Sequence, residues 1–364
     1  MKQQTLIKIC LFFLLLLIII GCSSNIPTTG GVVGVNKIKV GILIPLTGDA
    51  ASYGENVKNG IELANQELNF ELVYEDGKCN GPDAVNAIRK LIEVDKVNAV
   101  IGELCSGATI PASEIAKAAG IVMISPASTS PDLTNAGDHF FRTVPSDALQ
   151  GEEGAKLVKK LGYQSLAILH VNDDYGVGFN RVLKENFDNV VISESFEKEA
   201  TDLRTQLTKI KEKTPDAIYI ISNSPAAAGA ALKQIKELGI EAQVIGSEGL
   251  KDQSVLDAAE GAADGMILTF LAPSNTIIGK QFKNRYVQEY TEDPPIFAAE
   301  AFDAMIALSR ALDSEDIGEG LIKAMKGVVF EGASGTVDFD ENGDVIKPYN
   351  VLKVENNKFI EFKQ

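Results

Sequence analysis

Hydroxyls, small residues and backbone N–H groups gather in two short stretches of this chain, Gly102-Glu-Leu-Cys-Ser-Gly-Ala-Thr109 and Ser125-Pro-Ala-Ser-Thr-Ser130. Each follows an apolar run that reads as a buried strand, Ala99–Ile101 and Ile121–Ile124. An anion at a helix N-terminus meets unpaired N–H donors and the positive end of the helix dipole. Ser106, just ahead of a helix expected near Pro111, is placed to add a hydroxyl to such an anion, and Thr129 is placed to do the same from the second stretch. The simpler alternative is that Ser106, Ser125, Ser128 and Thr129 only cap helices. Little in either stretch can do covalent chemistry, so the expected chemistry is a reversible grip on a small polar molecule.

A search for catalysis returns mostly absences. The sequence has no G-x-S-x-G elbow, no G-x-x-x-x-G-K-[ST] phosphate loop and no H-E-x-x-H pair. A serine triad would have to use one of the two histidines, His139 or His170. His170 ends a buried strand and His139 precedes Phe140-Phe141, which makes both structural. A hydrolase built on Ser106 is therefore a remote alternative. Asp338-x-Asp340-x-Asn342-Gly343 begins like a calcium loop, but Tyr349 stands where the bidentate Glu is needed, and an Asn-Gly turn explains the pattern. No metal and no cofactor is expected.

The elements that must position these loops follow an α/β rhythm. Ile38–Ile44 and Glu71–Tyr74 read as strands around a helix capped by Ser52, with Val57, Ile61, Ala64 and Leu68 on one face. Asn80 and Pro82 suit the cap and first turn of a second helix. The rhythm then restarts. Leu166–His170, Val190–Phe196, Ala217–Ile221, Val244–Gly246 and Met266–Phe270 are strand candidates, separated by helical stretches such as Gly178–Phe187 and Ala226–Leu238. Two rounds imply two similar lobes. The remainder predicts helices over Ala298–Leu312 and Ile317–Lys326, then a hairpin over Thr336–Val345 turning at Asn342-Gly343.

Compartment is read from the ends and the cysteines. Lys2 and Lys8 precede an apolar run from Ile9 to Ile20 that is short for a bilayer span and ends in Ile19-Ile20-Gly21-Cys22. This resembles a lipobox, which would make 1–21 a signal peptide and Cys22 the lipidated first residue; a plain transmembrane anchor is the alternative. Residues 22–36 read as a flexible tether. With Cys10 removed and Cys22 lipidated, Cys79 and Cys105 remain, and in an oxidising compartment they most simply form one disulfide. Loss of two lysines with the signal takes the net charge from −16 to −18, which argues against a nucleic-acid partner. The expected location is extracytoplasmic, lipid-anchored to the cell membrane.

Lys39-Val-Gly-Ile-Leu-Ile-Pro-Leu-Thr-Gly-Asp-Ala-Ala-Ser-Tyr-Gly54 resembles the opening of the leucine/isoleucine/valine-binding protein family, the type I periplasmic binding proteins of ABC transporters. Gly102–Ser106, Ser125–Thr129, Asp174–Gly176 and Gly246–Gly249 match that family in order and spacing, over essentially all of Lys37–Gln364. The resemblance implies two Rossmann-like lobes joined by three crossovers, near Val144–Asp147, Phe270–Pro273 and Ile346–Tyr349. Lobe 1 would then comprise 37–144 and 273–346, and lobe 2 would comprise 145–272 and 347–364. It implies that Ser106 and the Thr129 backbone hold an α-carboxylate. The Ala127 carbonyl, the Thr129 hydroxyl and Glu248 would hold an α-ammonium. Tyr53, Tyr175 and Phe297 would line the cleft, Ser128 belongs to the same loop, and Cys79–Cys105 would be the family's disulfide. The implied activity is capture of an amino acid, aliphatic or branched, by cleft closure and delivery to a permease by a monomer. Binding of short amides or urea, or a receptor lobe, are the alternatives; a receptor is expected to carry a membrane helix and a signalling domain after its lobes. One departure stands out. The family's branched-chain binders carry an aromatic hydroxyl where this chain has Ser222-Asn-Ser-Pro225.

Overall fold

Among the described residues the most apolar runs form buried strands, and these strands set the architecture. A computed structural model describes residues 37–313 and 318–363; the signal peptide, Cys22, the tether and Ile317 lie outside the described residues. β1 (Lys39–Ile44), β2 (Glu71–Asp76), β3 (Ala99–Gly102), β4 (Val122–Ser125) and β5 (Phe140–Arg142) make a parallel sheet in the order β2-β1-β3-β4-β5. β6 (Leu166–Val171), β7 (Val190–Phe196), β8 (Ala217–Ile221), β9 (Gln243–Gly246) and β10 (Ile267–Leu271) make a second, with β13 (Tyr349–Glu355) and β14 (Lys358–Glu361) added antiparallel. Its order is β14-β13-β10-β9-β8-β6-β7. The central β6 and β8 are buried at every residue, whereas β7, at the edge, is mostly half-buried. That is the burial expected of parallel strands covered on both faces.

Helices α1 (Ala51–Leu68), α2 (Gly81–Arg89), α3 (Ser106–Ala118), α4 (Asp147–Lys160), α5 (Asp174–Asn186), α6 (Arg204–Glu212), α7 (Pro225–Glu237) and α8 (Gln253–Ala259) connect the strands. The cap of α2 is as read from sequence: the Asn80 side chain accepts from Asp83 N, with Pro82 in the first turn. The Ser52 cap is not. α1 begins at Ala51 behind Ala50, started by a backbone turn in which Ala51 N donates to Gly48 O, and the Ser52 hydroxyl is buried without a partner. α3 likewise starts at Ser106 rather than near Pro111, because Cys105 is already extended and its carbonyl accepts from Ala108 N and Thr109 N. Pro111 removes only its own bond within the helix.

A later segment returns to the first sheet. α9 (Ile277–Tyr290), α10 (Ala298–Leu312) and α11 (Glu319–Lys326), with the two-stranded β11 (Val329–Gly332) and β12 (Gly335–Asp338), share a hydrophobic cluster with β1–β5, while β6–β10 organise a separate one. The hairpin expected over Thr336–Val345 is displaced. β12 pairs backward with β11 around Ala333 and Ser334, whose N–H groups donate to Asp303, and Asn342-Gly343 turns a loop that returns no strand to β12. The chain passes between the two sheets after β5, after β10 and before β13. These passages touch one another, Ala272 N donating to Pro348 O and the buried Lys347 ammonium donating to the Thr143 carbonyl.

Candidate functional site

In open α/β sheets the strand order reverses at a point where two carboxyl ends leave a crevice. In the first sheet this falls between β1 and β3, and in the second between β6 and β8, and the two crevices face each other. The cavity between them is lined from the first side by Tyr53 after β1, Leu104, Cys105 and Ser106 after β3, and Ala127 and Thr129 after β4. The second side adds Tyr175 after β6, Asn223 after β8, and Glu248 and Gly249 after β9, and Phe297 closes one wall. The space it encloses, open mouth included, is ≈ 370 Å³.

The first side is a finished network. Glu103, fully buried, accepts from Cys79 N, Leu104 N and Cys105 N at 3.2, 2.6 and 2.7 Å, and so shapes the loop that presents Ser106. Burial raises its pKa to about 7 against those three bonds. Cys79 and Cys105 are joined as a disulfide, Cα–Cα 5.1 Å. Their sulfur atoms lie near a Glu103 oxygen, but the bonded thiols leave no ligand set for a metal there. The Ser125 and Ser128 hydroxyls both donate to the Glu103 carbonyl. Ser128 also meets the Thr109 hydroxyl and does not line the cavity. Ser106 Oγ accepts from Ser130 N at 3.1 Å, which leaves its own proton for a ligand.

Arg142 holds the second loop from behind. It forms a two-pronged pair with Asp344, Nε to Oδ1 at 2.6 Å and Nη2 to Oδ2 at 2.9 Å, and donates to the carbonyls of Ser128 and Ser130. Neither Glu103 nor Arg142 was assigned a role from sequence, although an arginine ending the apolar run Phe140-Phe141 was a visible signal. The Asp338–Gly343 pattern resolves with it: Asp340 accepts from Asn342 N and Asp344 N, delivering Asp344 to Arg142.

The second side is unfinished. Glu248, 4 % exposed, has an Oε2 with no hydrogen-bond partner. Burial pushes its carboxyl up to about 7, opposed in part by the backbone N–H groups of Glu248 and Gly249. Asp147, at the start of α4 and missed in the sequence, is fully buried with both oxygens unpartnered, and burial and the nearby Glu248 push it well above the carboxylate range. Tyr175 donates to Ser247 Oγ at 2.8 Å. Tyr53 reaches across to the Gly249 carbonyl at 2.7 Å; a side chain at 249 would strike the Ser222 carbonyl at 2.3 Å, so only glycine allows this approach. Phe297 packs edge-on against Tyr53 from a left-handed backbone, φ 67°, a strained state for an aromatic residue of the kind that gathers at binding sites. His170 sits apart, its Nδ1 against the Val171 carbonyl, as a structural residue would.

Two Rossmann-like lobes joined by three strands of chain around an inter-lobe cavity define a two-lobed binding protein. The chain belongs to the periplasmic binding protein family, which matches residues 37–358. It is 30% identical over 329 residues to the Leu/Ile/Val-binding protein of Escherichia coli, covering 85% of this chain and 88% of that one. It is 28% identical over 333 residues to the leucine-, isoleucine-, valine-, threonine- and alanine-binding protein of Pseudomonas aeruginosa, 85% and 87% covered. Among solved structures, the leucine-binding protein LivK of Thermotoga maritima superposes with a TM-score of 0.85 at 28% identity, covering 90% of this chain and 98% of that one. The Streptococcus pneumoniae LivJ complex with isoleucine follows at 0.83 and 27%, with 89% and 97% covered. The family is extracytoplasmic, and no helix among the described residues is long and apolar enough to cross a membrane.

Proposed function

We propose that this protein captures a free amino acid with a small aliphatic or branched side chain by closing its lobes, and delivers it to an ABC permease. The observation that carries this reading is the unpartnered, buried Glu248 Oε2 in a cavity whose opposite wall offers the Ser106 hydroxyl at a helix N-terminus. A buried carboxylate needs a cation, and a hydroxyl at a helix N-terminus suits an anion. An α-amino acid supplies both within one small molecule. Ser106 and the Thr129 backbone would take the carboxylate. The Ala127 carbonyl, the Thr129 hydroxyl and Glu248 would take the ammonium, and Tyr53, Tyr175 and Phe297 would enclose the side chain. The ligands named for the relatives support this choice, and Glu248 argues against amides or urea, which bring no cation.

Closure would hinge on the passages after β5, after β10 and before β13, between a lobe of 37–144 with 273–346 and a lobe of 145–272 with 347–364. The anchor belongs to the same reading: cleavage after Gly21, lipid on Cys22 and a tether to residue 36 would hold a monomer at the membrane beside its permease. Calorimetry against the twenty amino acids tests the central claim. At least one ligand is expected to bind at micromolar or tighter Kd, with that binding weakened by ~2–3 kcal/mol in Glu248→Ala; a panel with no binder defeats it. Release of Cys22→Ser protein from membranes tests the anchor.

A further inference from the structure

Asn223 lies in the Ser222–Pro225 loop after β8, and its neighbour fixes its orientation. The Asn223 amide nitrogen donates to Asp173 Oδ2 at 2.7 Å, while Asp173 Oδ1 accepts from Gly176 N to cap α5. A carboxylate only accepts, so the amide must turn its nitrogen to Asp173 and its carbonyl oxygen away. That oxygen has no partner, in a residue 9 % exposed that lines the cavity. The loop cannot easily turn it elsewhere. Ser222 Oγ accepts from Ser224 N and donates to the Ser224 carbonyl, and the Ser224 hydroxyl donates across the cleft to the Asp49 carboxylate. Asp49 belongs to the β1–α1 loop that leads to Tyr53, whereas the groups assigned to the ligand's α-carboxylate and α-ammonium follow β3, β4 and β9.

We propose that Asn223 Oδ1 accepts a hydrogen bond from the ligand's side chain, so that the cleft prefers a small amino acid bearing a hydroxyl or amide donor over its apolar isostere. Closing on an apolar side chain leaves this carbonyl buried and unsatisfied, whereas a donor at that point replaces the water it lost. The surrounding wall of Tyr53, Leu104, Cys105 and Phe297 is mainly apolar, which restricts the match to a single polar point on a compact side chain.

This rests on the amino-acid reading above, and its failure can be told apart from the failure of that reading. L-threonine and L-valine have nearly the same shape and differ by one donor. Calorimetry on the wild-type chain is expected to show threonine binding at least tenfold tighter than valine. In Asn223→Leu, checked for an unchanged melting temperature, the preference is expected to vanish or reverse. Valine binding as well as or better than threonine to the wild-type chain overturns the proposal without recourse to the variant. A threonine preference that survives in Asn223→Leu also overturns it, because the donor is then read elsewhere. If no amino acid binds at all, the amino-acid reading falls and takes this one with it.

Discussion

The two walls of the cleft are built from the same parts and left in opposite states. On the first, the loops after β3 and β4 have their polar groups joined to Glu103, Arg142 and one another before any ligand is considered. On the second, Glu248 and Asn223 present buried oxygens with no partner. A satisfied network is rigid and specifies one shape, whereas an unsatisfied buried acceptor is costly until something fills it. The first wall is therefore a preformed seat, and the second a set of charges and acceptors that gains by closing only when a ligand brings the missing donors.

The comparison breaks most visibly at Arg142. Arg142→Leu leaves Asp344 buried and the 128–130 loop unsupported, and is expected to cost about 3–5 kcal/mol of folding stability in urea titration. A loss below 1 kcal/mol would mean that the seat is not preorganised by this residue. Reducing the disulfide, or Cys79→Ser with Cys105→Ser, reopens a loop with a sequence separation of 26 residues and should cost ~3–4 kcal/mol in the chain-entropy model, read from the melting temperature. On the second wall the expectation is inverted. Glu248→Ala should cost ~2–3 kcal/mol of ligand affinity by calorimetry yet leave stability equal or higher, since an unpaired buried carboxyl is removed.

pH sharpens the same contrast. The Glu248 carboxyl, raised to about 7 by burial in the fold, lies above its value in the unfolded chain. Its favourable contribution to the empty fold is thus complete in acid and is lost as the pH rises through about 7. An ammonium needs the ionised form, so amino-acid affinity should fall as the pH drops below about 7. In Glu248→Gln that dependence should flatten; an equally steep profile in the variant would assign the titration elsewhere, Glu103 being the other buried carboxyl raised to about 7. The smallest effect lies away from both walls, at the α2 cap, where Asn80→Ala should cost about 1 kcal/mol of stability with no change in binding.

What could be read from the sequence divides along the same line. Strands such as β6 and β8 are continuous apolar runs, so their positions were legible, and with them the loops at their ends. Tyr53, Ser106, Ala127, Thr129, Tyr175, Glu248 and Phe297 do converge on one cavity, whereas Ser128 is turned into the scaffold. Glu103 and Asp147 were not legible as buried groups, because a carboxylate inside a fold is recognised by what surrounds it and not by its neighbours in the chain. The Ser52 cap, the start of α3 and the hairpin expected over Thr336–Val345 were misplaced for a related reason. Each is decided by hydrogen-bond partners, the Gly48 and Cys105 carbonyls and the Asp303 carboxylate, that local pattern does not announce.

The Arg142–Asp344 pair joins residues 202 positions apart. The loop it braces belongs to the first sheet, every strand of which is complete by residue 142, yet its brace arrives only near the end of synthesis. An emerging chain therefore carries every strand of its first sheet, without α9–α11 that share its core, and an unfinished recognition loop for most of its production. Competence to bind comes late, as a proof that the last segment is in place, and a fragment ending before residue 340 should fold much of its first sheet and still be blind to its ligand.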